Sequence, residues 1–196
     1  NLSRKQAILQ VAADFFSERG YRETSMSEVA KFAGVADGTV FYNYRSKEEL
    51  YLAVLEDFRD NIKLALDDYL AQSRFANGLE LVEGLVGFYI SLAEDMAKRF
   101  LLLHRYDSYR LARSNPAFHQ QLEDIYDCIV DAFEKAIVRG QADGSIADVP
   151  ARKYAFIVFA NVDGMMRLKT FSLYQTETLY GELIRACHRM LARGNS

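Results

Sequence analysis

Apolar residues recur along this chain at helical spacing from end to end. Ile8, Val11, Ala12, Phe15 and Phe16 fall three or four apart and so share one face of a helix predicted over 4–18. Ser3 and Gln6 form a capping box at its start, and Gly20 stops it. Ser25 and Glu28 make a second box, opening a short helix over 26–32. A third helix is predicted over 38–44, with Asp37 as its cap. Ser46 and Glu49 make a third box. The long helix it opens at Lys47 should bury Leu50, Val54, Leu55, Phe58, Ile62, Leu66 and Leu70. Helices over 79–94, 96–112, 116–142, 150–171 and 176–192 complete the pattern, with Asn115-Pro116 as a helix start and Asp143-Gly144-Ser145 as a loop. The fold class predicted is all-α. There is no internal repeat and no low-complexity linker.

Within Ser25–Leu50, Ala30, Gly34 and Val40 stand fifth, ninth and fifteenth from Met26, the spacing of a DNA-binding helix-turn-helix. Each has a steric task. Ala30 lets the second helix cross closely above it. Gly34 can take the left-handed conformation that reverses the chain. Val40 pins the second helix to the first, with Val29, Ala33 and Val35 as partners.

The segment GVADGTVFYNYRSKEEL at Gly34–Leu50, following the helix at Met26–Phe32, resembles the DNA-binding region of the TetR family of transcriptional regulators. The likeness covers about residues 4 to 55. It implies an N-terminal three-helix DNA-binding domain, residues 1–50. A larger helical ligand-binding and dimerisation domain, residues 51–196, would be joined to it stiffly through the helix from Lys47. It implies roles residue by residue. Thr24 and Ser25 would hold a phosphate at a helix start, and Ser27 would face the groove. Gly38 would allow close approach, and Thr39 would meet a base edge. Tyr42 would reach the DNA backbone, and Lys47 would attract phosphate. Two positions depart from the family pattern. Phe41 stands where many members have Tyr. Asn43 occupies a place often held by His or Tyr and is expected to donate to a base.

Charge alone does not point to nucleic acid. Residues 1–50 hold seven Lys/Arg and seven Asp/Glu, and the whole chain carries −3. A basic face would have to come locally from Arg4, Lys5, Arg22, Lys31, Arg45 and Lys47. With half its residues hydrophobic, the chain can bury a substantial core. No run long and apolar enough to cross a membrane is present, and NLSRKQAILQ lacks a signal-peptide pattern, so a cytoplasmic protein is expected. The first residue is not Met, which suggests a trimmed start. Cys128 and Cys187 are read as buried thiols, with a redox pair as the sharper alternative.

An aromatic and Met-rich interior is expected from Phe100, His104, Tyr106, Tyr109, Phe118, Tyr126, Phe156, Phe159, Met165, Met166 and Phe171. It reads as core or as a pocket for a hydrophobic or aromatic effector. Phe100, His104, Tyr109, Tyr126, Phe159, Asp163 and Met166 are the candidate effector residues. YAFIVFANVDGMM, at Tyr154–Met166, is apolar on nearly every side, so one face should meet a partner subunit, with Gly164 allowing close approach. With Leu179, Leu183, Ile184, Ala186, Cys187 and Leu191 it suggests a homodimer through roughly 150–171 and 176–192. His119 and Glu123 are too few for a metal site, and no catalytic motif or cofactor is recognised. The reading is a dimeric, effector-responsive regulator, a repressor released from a palindromic DNA operator. A helical enzyme or carrier with a disused helix-turn-helix, and a cysteine redox sensor, stand as alternatives.

Overall fold

The computed structural model describes residues 3–193. These form ten α-helices: α1 (Arg4–Glu18), α2 (Met26–Phe32), α3 (Asp37–Asn43), α4 (Lys47–Gln72), α5 (Gly78–Asp95), α6 (Ala97–His104), α7 (Tyr106–Ser114), α8 (Pro116–Asp143), α9 (Ala151–Thr170) and α10 (Tyr180–Leu191). The all-α expectation holds. None of the described helices is long and apolar enough to cross a membrane.

The chain packs as two compact units, one from the residues up to Asn61 with Met96–Ile125, the other from Ile62–Asp95 with the chain from Tyr126 on. In the first, α1 lies against α2 and α6, and α2 lies against α3. Ile8, Ala12 and Phe16 of α1, Leu50, Tyr51, Val54 and Phe58 of α4, and Phe100 and Leu102 of α6 are fully enclosed. Each such large apolar side chain contributes about 1.5–3 kcal/mol by leaving water. Ring pairs order this core, with Phe16 edge-on to Tyr51 at 4.7 Å and Phe58 edge-on to Phe100 at 5.3 Å. In the second unit α5 packs on α9 and α10. Gly78 and Gly140 let α5 begin directly against the backbone of α8, since a Cβ on Gly78 would come within 2.1 Å of the Gly140 nitrogen.

Several boundaries differ from the sequence reading, each for a physical reason. Only the Ser3–Gln6 box closes in both directions. Ser25 accepts the Glu28 amide at 3.4 Å, but the Glu28 carboxylate turns to Arg19. Ser46 accepts the Glu49 amide at 3.1 Å, while Glu49 takes the amide of Arg45 instead of Ser46. Asp37 is not the cap of α3. Ala36 holds that position without a side-chain bond, and Asp37 lies in the first turn, where its charge suits the helix dipole. The single helix predicted over 96–112 is broken at Arg105, whose backbone is extended. The Ser108 hydroxyl donates to the Leu102 carbonyl at 2.8 Å and accepts from Tyr51 at 2.7 Å, taking up the oxygen that an uninterrupted helix would offer to an amide. The last helix likewise begins later, after a short 3-10 turn at Glu177–Leu179. Leu70 is exposed instead of buried, as are Tyr106, Phe156 and Phe171 of the expected interior. Leu183, Cys187 and Leu191 turn into their own unit and are not available to a partner.

Candidate nucleic-acid interface and ligand cavity

The turn between α2 and α3 is built on Gly34, with φ +68°. Its amide bonds the Lys31 carbonyl at 3.3 Å, and the next amide, of Val35, bonds Ala30 at 3.0 Å, which ends α2 and reverses the chain. Val40 is fully buried, as are Val29 and Ala30, so the inner face of α3 is fixed. Its outer face is thereby fixed too. Gly38, Phe41 and Tyr42 are exposed, Tyr42 to 89%. A Cβ added at Gly38 would meet no atom of the protein within 4 Å, so space there is open to an approaching molecule. Thr39 is half-buried. Asn43 is half-buried as well, and its side-chain amide donates to the Thr39 carbonyl at 2.7 Å, leaving one N–H for any other partner.

The flanking residues divide by accessibility. Ser25 and Ser27 are exposed at the start of α2. Thr24 is buried, and its hydroxyl donates to the Gly20 carbonyl at 2.8 Å, so its side chain shapes the loop instead of facing outward. The Lys47 ammonium donates to the carbonyls of Arg22 at 3.2 Å and Thr24 at 3.0 Å, and sits 4.7 Å from the Tyr21 ring centre. Lys47 therefore ties the loop before α2 to the start of α4. Arg4, Lys5, Arg22, Lys31 and Arg45 are exposed cations in this region. Two further groups, Asp107 and Arg105, hold the loop from the other side. The Asp107 carboxylate accepts the Tyr21 amide at 3.0 Å, and Arg105 donates to the Ser17 carbonyl at 3.0 Å. Arg105 stands at the break after α6 and Asp107 in the first turn beyond it, and no residue of the sequence signals that break.

The seven candidate effector residues are divided between the two units. Phe100, His104 and Tyr109 belong to the first unit, and Tyr126, Phe159, Asp163 and Met166 to the second. In the last group Phe159, Asp163 and Met166 are buried and Tyr126 is half-buried. Phe159 is edge-on to Tyr89 at 5.7 Å and tilted against Tyr126 at 5.5 Å, and the Tyr89 hydroxyl donates to Asp163 at 2.7 Å. Tyr89 was missed, although it continues the apolar face of Val82, Leu85 and Val86 and a buried phenol needs a partner. A cavity of about 320 Å³ lies elsewhere in the second unit. Leu66, Leu70, Leu81, Leu85, Ala132 and Cys128 form its walls, with Lys63, Asp67, Asp131 and Lys135 at its rim. None of the seven lines it. Cys128 is half-buried and Cys187 buried, both as thiols, and burial, with Glu83, pushes the Cys187 thiol up to about 11. His119 and Glu123 form an exposed pair at 3.3 Å, and no cluster of potential metal ligands occurs among the described residues.

On α9 the side chains of Ala155, Val158, Phe159, Val162, Asp163 and Met166 face inward. Phe156, Ile157, Ala160, Asn161 and Gly164 form the opposite, exposed stripe. A Cβ on Gly164 would meet nothing within 4 Å.

Comparison with known proteins places this arrangement. Residues 8–54 match the model for bacterial regulatory proteins of the tetR family. The HTH-type transcriptional regulator RutR of Escherichia coli (strain K12) is 22% identical over 98% of this chain and 90% of its own length. The HTH-type transcriptional repressor KstR2 of Mycolicibacterium smegmatis is 38% identical over 30% of this chain and 28% of its own. A Saccharomonospora viridis protein described as a transcriptional regulator, solved in complex with choline, superposes with a TM-score of 0.77. It is 20% identical, over 97% of this chain and 98% of that one, which bears on the fold alone.

Proposed function

The chain belongs to the TetR family of DNA-binding transcriptional regulators, and from that premise we propose that it is a homodimeric repressor released from a palindromic operator by a small hydrophobic or aromatic effector. One observation carries the reading most directly. Gly38, Phe41 and Tyr42 stand on the outer face of a two-turn helix whose inner face Val40 locks in place. In a major groove, Thr39 and the remaining N–H of Asn43 read base edges, and Tyr42, Ser25 and Ser27 reach the backbone. Lys47 acts through the loop it holds and through its charge. The exposed apolar stripe of α9, opened by Gly164, supports a two-fold interface, which would set two α3 helices about one turn of DNA or more apart.

The leucine-walled cavity supports an effector with an apolar body. Release requires that the effector bind more tightly to a conformer with wrongly spaced reading helices, and a coupling of about 1–3 kcal/mol is typical. Selection of bound sequences from random double-stranded DNA tests the reading. A palindromic consensus is the expected result, and no enrichment by effector-stripped protein would overturn it.

A further inference from the structure

We infer that the effector is an amphiphilic anion, with its apolar body in the leucine-walled cavity of the second unit and a carboxylate or phosphate head at Arg74 and Arg139. The inference rests on the effector-responsive reading above and names the chemical class of its ligand. Its basis is a second cavity, of about 350 Å³, lined by Leu70, Ser73, Arg74, Phe75, Leu81 and Arg139. Leu70 and Leu81 line both cavities, so the two adjoin, and a ligand reaching across these leucines would have an apolar end and a cationic end. A cavity of about 150 Å³ takes benzene. The apolar end, at about 320 Å³, therefore admits a fused-ring body or a medium alkyl chain.

The charge of the cationic end gives the head its sign. The lining of the second cavity holds two guanidinium groups and no carboxylate. Arg139 is held in place by donating to the Phe75 carbonyl at 2.8 Å. Asp143, whose carboxylate feels the charge of Arg139, accepts the amides of Gly78 at 2.7 Å and Ser145 at 3.0 Å. The lining of the apolar end is balanced in charge, with Lys63 and Lys135 beside Asp67 and Asp131, the last sharing Arg152 with Asp127 and Glu134. The cationic character is thus confined to the Arg74 and Arg139 end. Two guanidinium forks suit the oxygens of a carboxylate or phosphate, whereas a quaternary ammonium head would meet like charge.

Calorimetric titration of the full chain, with its R74Q and R139Q variants, tests this with four ten-carbon probes below their micelle concentrations: decanoate, decyl phosphate, decanol and decyltrimethylammonium. The expected order is an anion binding about tenfold or more above decanol, and decanol above the cation. The two anions distinguish a carboxylate from a phosphate ligand. Each Arg variant should weaken the anion by about five- to tenfold and leave decanol as it was. At saturating anion, alkylation of the half-buried Cys128 on the cavity wall should slow, with buried Cys187 as internal reference. Equal affinity for anion and decanol, indifference to both Arg changes, unaltered Cys128 labelling, or no binding by any probe would each overturn the inference. The DNA selection keeps the two readings apart. If a palindrome is selected and no anion binds, only the ligand class falls. If no palindrome is selected, the repressor reading falls whatever the titrations show.

Discussion

At the scale of single residues, the site is defined by which hydroxyls and amines are already engaged. Thr39→Ala removes the hydroxyl proposed to meet a base edge without touching the carbonyl that holds Asn43. We expect a loss of about 1–3 kcal/mol on the preferred site and a relaxed base preference at one position, read by binding to a panel of single-base operator variants. Lys47→Ala should behave differently, weakening binding to all sequences and lowering the thermal midpoint by about 2–4 °C, because the loop carbonyls of Arg22 and Thr24 lose their shared donor. Equal effects of the two changes on specific and random DNA would contradict this division. Thr24 shows what a motif leaves hidden. The family spacing put its hydroxyl near phosphate, yet folding turns it to the Gly20 carbonyl, a bond made within the loop and set by the shape of that loop. Cys187 adds a pH dependence. The folded protein keeps the thiol protonated up to about 11, while the unfolded chain releases the proton near its ordinary 9. Stability from this group is thus complete below about pH 9 and lost as pH rises toward 11, by about 1–3 kcal/mol. Thermal melts across that range should fall more steeply for the native chain than for Cys187→Ala.

At the scale of elements, the α2–turn–α3 unit was legible because its constraints are local. Gly34 and the side of α3 that carries Val40 are set by residues within a dozen places in sequence. The break between α6 and α7 was not legible, because it depends on Ser108 meeting Tyr51, 57 residues away, and on Arg105 reaching back to Ser17. Gly20, at φ +91°, closes this contact, since a Cβ there would lie 2.8 Å from the Arg105 guanidinium. Gly20→Ala should therefore destabilise by about 1–2 kcal/mol or more, as measured by denaturant unfolding. Gly38→Ala is the counterpart. With open space around it in a helix, the new methyl should leave stability unchanged or raise it by up to about 1 kcal/mol, yet impair DNA binding by obstructing close approach. A variant that unfolds earlier, or binds DNA as before, would refute the role given to this glycine.

At the scale of the whole molecule, periodicity was enough to show that α9 is apolar on both sides, but not which side is buried, and the cavity was invisible to it. The cavity arises where leucines from α4 and α5 meet α8, and no single helix records that meeting. Gly164→Leu places bulk on the exposed stripe of α9 without an internal clash. Sedimentation should then show a folded monomer in place of a dimer, with operator affinity falling sharply. The brevity of α3 gives that pairing a further meaning. Seven residues make two turns, from which about three or four side chains reach bases, enough to single out one site in about 64 to 256. A genome offers about 10⁶–10⁹ alternatives. One copy of this helix is a word too short to be an address, and two copies at a fixed interval square its information to about one site in 4,000 to 65,000. In the proposed dimer the distance between the helices would itself be part of the message, and a ligand that altered only that distance would erase the address while leaving every letter-reading side chain intact.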